Sequence, residues 1–171
     1  MTGIKKTKFT LTELILIIFV VAILGVLASF WISKERQKAK STNCASSLKG
    51  IGFAIRMYSE DFNKEFPNKP GRAGFEMLRS GAYLDNGKMY TCPSTKDKIP
   101  DGCDLRSSPV SYMYASALNE ATSVDSGLAR DNNTNHSKYG HVLFVDGYVT
   151  GFAGANWTAS QNYLGSSNFS Y

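Results

Sequence analysis

Charge is missing from two long stretches of this 171-residue chain. Between Phe9 and Ile32 the single charged residue is Glu13, and between Gly147 and Tyr171 there is none. Proline is missing from Ser33 to Phe62, so nothing there forces a helix to break. No internal repeat is present, which excludes solenoids and propellers. An excess of positive charge is missing from residues 41–171, which hold twelve basic and twelve acidic residues. The net charge of +5 therefore belongs to residues 1–40, where Lys5, Lys6, Lys8, Lys34, Arg36, Lys38 and Lys40 outnumber Glu13 and Glu35. A nucleic-acid-binding domain would carry its basic patch on the folded part, so the globular part is not expected to bind nucleic acid.

What is present begins with the run from Phe9 to Ile32. Its 24 residues make about 36 Å of helix, enough for roughly 30 Å of hydrocarbon. Basic residues flank it on both sides. A cleaved signal peptide would have a shorter apolar region followed by a small-residue cut site. The expectation is a single-pass anchor, the short basic head inside and the larger part exported.

The spacing predicts that the helix continues. Ser41, Cys44, Leu48, Ile51, Ile55, Tyr58 and Phe62 recur at alternating steps of 3 and 4, which lays one apolar stripe along a helix. Gly50 and Gly52 weaken such a helix by up to about 1 kcal/mol each, so packing must compensate. "NKEFPNKPG" ends it near Asn63. Beyond it, "FEMLRSGAYL" suits a short helix or turn, and "KMYTC" and "VSYMYAS" suit strands. "YGHVLFVDGYVTGF" suits a hairpin turning at Asp146-Gly147, with positive φ expected at both. "SVDSGLARDNNTNHSKYG" reads as a surface loop. The uncharged tail packs either on its own domain or on a neighbour. The fold expected is α+β: a long N-terminal helix packed on a small antiparallel sheet.

These residues resemble a known family. "KFTLTELILIIFVVAIL" is similar to the processing and methylation segment of type IV pilins and type II secretion pseudopilins, through Phe9, Thr10, Leu11, Glu13 and Leu14. "KAKSTNCASSLKGIGFAIRMYSEDFNKEFP", "YTCPS" and the H-x9-D-G pattern of His136, Asp146 and Gly147 resemble pseudopilin-like proteins of the planctomycete and verrucomicrobial type. The chain departs from the pattern at Lys8, where Gly is usual, at Thr12, and at Phe30, where a proline is common. The resemblance implies a non-enzymatic filament subunit in the bacterial inner membrane with a periplasmic domain. Prepilin peptidase would cut between Lys8 and Phe9 and methylate the new amine. The implied partners are other pilin-like subunits, of the same or different kind, and the inner-membrane assembly machinery. The divisions implied are a leader over 1–8, an assembly half of the helix over 9–32, and a globular domain over 33–171. The rival from another class is an exported enzyme or ligand-binding domain on an ordinary transmembrane anchor.

Glu13 is the residue that needs an explanation. A charge at the centre of a spanning helix costs about 2.5–3.5 kcal/mol on insertion scales. After a cut before Phe9, the new α-amine would lie four residues before Glu13, and an amine with a pKa near 8 is cationic at pH 7. Each copy would then bring one acid and one amine, and a head-to-tail pairing between copies extends as an open helical assembly. The plainer reading is a glutamate snorkelling to the interface.

Cys44, Cys92 and Cys103 permit one disulfide in an exported domain. Cys92 and Cys103 enclose a short loop with Pro93, Pro100 and Gly102 and are the preferred pair; Cys44–Cys92 is the rival, because Cys44 lies on the apolar stripe. The spacing matches no zinc pattern, so no metal site is expected. His141 and Asp146, an odd number of residues apart on an extended segment, point to opposite faces and make no catalytic pair. His136 is expected to hydrogen-bond the loop leading into the hairpin. No cofactor is expected, with calcium the one candidate: Asp125, Asp131, Asn132, Asn133 and Asn135 could supply oxygens, against the plainer reading of Asx turns.

Overall fold

The computed structural model describes residues 10–136, 139–154 and 169–170. The chain divides into two units, with the boundary between Ala39 and Lys40. Helix α1 (Leu11–Asp61) begins in the first unit and ends in the second.

The first unit is the N-terminal part of α1. From Leu11 to Ser29 it is long and apolar enough to cross a membrane. Its described large apolar side chains, Leu11, Ile15, Phe19, Val26 and Trp31 among them, are exposed. Leaving a large aliphatic side chain in water forfeits about 1.5–3 kcal/mol each, so this surface is costly to leave in water.

The second unit is α+β. The stripe on α1 is buried from Cys44 through Leu48, Ile51 and Ile55 to Tyr58. Phe62 does not continue it: that ring is 48% exposed and stacks on Tyr58 instead. The helix stops because Asn63 and Lys64 take positive φ, and the Lys64 N–H closes on the Ser59 carbonyl at 2.8 Å. Pro67 comes too late to be the terminator. Helix α2 (Gly71–Ser80) follows, burying Phe75 and Leu78.

Five strands form one antiparallel sheet: β1 (Tyr112–Ala115), β2 (Gly127–Asp131), β3 (Tyr139–Phe144), β4 (Val149–Ala153) and β5 (Phe169–Ser170). The order across the sheet is β4-β3-β2-β1-β5, four main strands extended at one edge by a two-residue pairing. Alternation along the strands sorts their side chains. Tyr112, Tyr114 and Leu143 join Leu48, Ile51, Ile55, Phe75 and Tyr90 in the main core, while Val142 and Phe144 form a second cluster with Phe152. Gly52 lets α1 approach β3: a Cβ there would stand 2.9 Å from Leu143 Cδ1. That close approach is the compensation the helix glycines required.

Three local expectations are corrected. "KMYTC" is not a strand; Gly87–Tyr90 is a 3-10 turn, because the Asn86 side chain accepts the Lys88 N–H and Tyr90 OH donates to the Leu84 carbonyl. The segment read as a loop contains β2, the strand between β1 and β3, which has only Leu128 and Ala129 as adjacent apolar residues and so no visible alternation. The Asp146-Gly147 hairpin forms, but only Gly147 has positive φ. Its Phe144–Gly147 turn closes through the Gly147 N–H, and the Phe144 N–H donates to Tyr148 at 3.0 Å, so the loop is longer than a two-residue turn. At the tail, Phe169 and Ser170 pair with Ala115 and Tyr114 of β1.

Candidate functional site

Two places in the chain carry unusual chemistry. The first is the start of α1. Lys8 and Phe9 lie outside the described residues. Glu13 sits in the first turn of the helix, exposed, and its backbone N–H donates to the Thr10 carbonyl at 3.1 Å and reaches Thr10 Oγ1 at 3.4 Å. Thr10-x-x-Glu13 is the spacing of a capping box, and a negative charge there favours the helix dipole. Glu13 therefore has a local role that the sequence reading did not assign. No described residue pairs with its carboxylate.

The second place lies within the second unit, where α1, the turn after Tyr90 and the loop before β3 meet. Cys44 comes from the buried stripe of α1. Cys92 opens a turn: the Thr95 N–H closes on the Cys92 carbonyl at 3.0 Å, and the Ser94 N–H donates to Cys92 Sγ at 3.4 Å. His136 ends the loop after β2, which is latched to the Ser111 carbonyl by the Asn132 N–H and by the Asn135 amide at 2.6 Å. Its ring stacks on Tyr139 with centroids 4.1 Å apart.

These supports bring three donor atoms together. Cys44 Sγ and Cys92 Sγ are 2.7 Å apart, and His136 Nε2 is 3.3 Å from the first and 3.2 Å from the second. All three residues are buried, at 0%, 1% and 6% exposure. Either sulfur can donate in the hydrogen bond between them, and that bond, with burial, pushes the Cys44 thiol up. The same hydrogen bond, helped by His136 and the Ser94 amide, pulls Cys92 down toward the thiolate.

The preferred partner of Cys92 is thus corrected. Cys103 is exposed, whereas Cys92 is buried against Cys44. A short loop between Cys92 and Cys103 did not decide the matter, because burial of the Cys44 stripe did. The spacing along the sequence points to no metal-ligand set, yet the fold brings one group of donors together. Among the described residues Cys44, Cys92 and His136 form a group able to hold an ion, all donors within 4.8 Å. Sequence spacing could not show it, since the ligands come from three separate segments.

Beside this cluster, His141 Nδ1 is 2.9 Å from Asp131 Oδ2 and its Nε2 is 3.2 Å from Ser41 Oγ. The connectivity is that of a Ser-His-Asp triad. Ser41, however, lies thirty residues into α1, so its amide is committed to the helix and supplies no oxyanion donor. The arrangement ties α1 to the sheet. Asp146 takes no part: it is exposed and its Oδ1 accepts the Tyr148 N–H at 2.9 Å. The two ends of the H-x9-D-G pattern therefore do separate work, His136 facing sulfur and Asp146 with Gly147 making the turn.

The proposed calcium oxygens do not converge. Asp131 is buried against His141, Asn132 Oδ1 accepts the Thr134 N–H, Asn133 Oδ1 accepts from Arg130, and Asn135 donates to Ser111. Asp125 is exposed.

Fold and site together define an α+β protein carrying, among the described residues, one helical segment of membrane-spanning length. Compared with family models, curated proteins and solved structures, the chain matches none.

Proposed function

We propose that this chain is a pilin-like filament subunit, held in the bacterial inner membrane as a single-pass protein before assembly. The observation that carries the reading is the helix from Leu11 to Ser29, apolar on every side, exposed throughout, and holding one carboxylate at Glu13. Lipid can cover such a surface in a monomer, and copies of the same helix can cover it in a bundle. Glu13 then needs a positive partner in a low-dielectric setting, and a freshly cut α-amine at Phe9 of another copy supplies one. The globular unit supports lateral contact, since Phe53 and Met57, four residues apart on α1, are 64% and 56% exposed. The segments quoted above as similar to pseudopilins point the same way, toward a type II secretion pseudopilus or a type IV pilus-like filament.

Mass spectrometry of the mature chain tests this. A chain beginning at N-methylated Phe9 is the expected result. An intact start at Met1 defeats the reading and leaves an exported domain on a plain anchor.

A further inference from the structure

We propose that Cys44, Cys92 and His136 bind a zinc-class divalent cation, a site that does not depend on filament assembly. Two thiolates and an imidazole are the donor set borderline-soft cations select. All three are buried, and their donor atoms lie within 4.8 Å of one another.

Three features distinguish this from a pair of idle thiols. His136 Nε2 stands nearly equidistant from both sulfurs, at 3.2 and 3.3 Å. A disulfide would give that nitrogen no proton and only a weak acceptor, so it would leave a buried imidazole nitrogen without a strong partner. The ring is held in place by stacking on Tyr139, and the Ser94 N–H donates to Cys92 Sγ, the kind of outer contact that orients thiolate ligands. Asp131 is fully buried, its Oδ1 has no hydrogen-bond partner, and its negative charge acts on Cys44. A cation bound by two thiolates cancels their charge and relieves that repulsion. Metal–sulfur bonds of about 2.3 Å in tetrahedral geometry would spread the sulfurs to ~3.8 Å. The present separation is 2.7 Å, so binding requires the two sulfurs to move apart by about 1 Å.

Binding releases to solvent whatever thiol protons the two cysteines hold. The ion's two charges are balanced by the two thiolates, and no oxidant or reductant is involved.

The full chain is purified in detergent without chelator, and zinc is counted by elemental analysis. About one zinc per chain is expected. The chain is also reduced anaerobically and titrated with Co2+, whatever its state on isolation. A thiolate-to-cobalt charge-transfer band supports the site, and X-ray absorption should find two sulfur neighbours and one imidazole nitrogen. His136→Ala should weaken zinc binding at least tenfold with both thiols intact, and Cys103→Ser should leave it unchanged. A reduced chain that gives no cobalt band overturns the proposal, as does a His136→Ala chain with an unaltered spectrum. A Cys44–Cys92 disulfide, two hydrogens lighter, that binds no ion after reduction is the specific alternative. None of these readouts depends on cleavage before Phe9, so the site and the filament reading fail separately.

Discussion

One carboxylate oxygen of Asp131 holds two groups of His141: its Oδ2 is 2.9 Å from the His141 backbone N and 2.9 Å from the ring Nδ1. Asp131 closes β2, pairs in register with Tyr112 of β1, and is fully buried. His141 in turn reaches Ser41 on α1. Two strands and the helix are thus fastened through a single buried acid.

Removing that acid should destabilise the globular unit. Asp131→Ala takes the partner from the His141 backbone N–H and ring Nδ1 in a buried setting, and hydrogen bonds to a charged group contribute about 1.5–3 kcal/mol each. A fall in unfolding free energy of about 2–4 kcal/mol is expected by urea denaturation of the chain in detergent. A variant as stable as the parent would show that the fastening carries nothing.

Glu13 has two roles to separate, a helix cap and a charge partner. Glu13→Gln removes the charge and keeps a polar side chain at the capping-box position, whereas Glu13→Leu removes both; the backbone N–H that meets Thr10 Oγ1 stays in either variant. Each variant should insert in the membrane, and neither should enter filaments. Filaments built from the Gln variant would mean that capping is the whole of the role; filaments from the Leu variant would sink the assembly role altogether.

Gly74 sits on α2 against the sheet. A Cβ there would stand 2.4 Å from the Lys69 carbonyl oxygen and 2.5 Å from the Tyr114 ring. Ala favours helix by up to about 1 kcal/mol, but overpacking against backbone costs about 1–3 kcal/mol and should win. Gly74→Ala is therefore expected to lower the thermal midpoint, whereas helix propensity alone would raise it.

Acid should loosen the contact between α2 and the 3-10 turn Leu105–Ser107. The Glu76 carboxylate is held below its usual range, first by the Arg79 guanidinium and then by the Leu105 N–H at 2.9 Å, against the opposing effect of burial. A lowered folded-state pKa means stability that is complete above the ordinary glutamate value of about 4.3 and is lost as pH falls through the folded value. The urea midpoint of the parent should drop more steeply from about pH 5 to pH 3 than that of Glu76→Gln. Parallel curves for the two chains would falsify this.

The cysteines should react unequally. Cys103 is exposed, and Cys44 and Cys92 are buried. A short maleimide pulse on the native chain, read by peptide mass, should label Cys103 alone. Equal labelling of Cys92 without denaturant would contradict the buried cluster.

Periodicity carried much of the fold. The steps of 3 and 4 from Cys44 to Tyr58 were enough to orient α1, because a helix buries whichever residues share a face. The hairpin was legible from Asp146-Gly147, although its exact turn was not. β2 was hidden, because Gly127–Asp131 is short and is stabilised by the neighbours it pairs with rather than by its own pattern. The same holds for Asp131: nothing in "ARDNNTN" distinguishes a buried clamp from an Asx-rich loop.

By itself the sequence determined the apolar segment, its lone acid and the continuous helix, since hydropathy and helical period are local properties of consecutive residues. Only the tertiary structure decided that Cys92 meets Cys44 and His136 rather than Cys103. Those donors are 48 and 92 residues from Cys44, and they meet because α1, the turn after Tyr90 and the loop before β3 pack around one core.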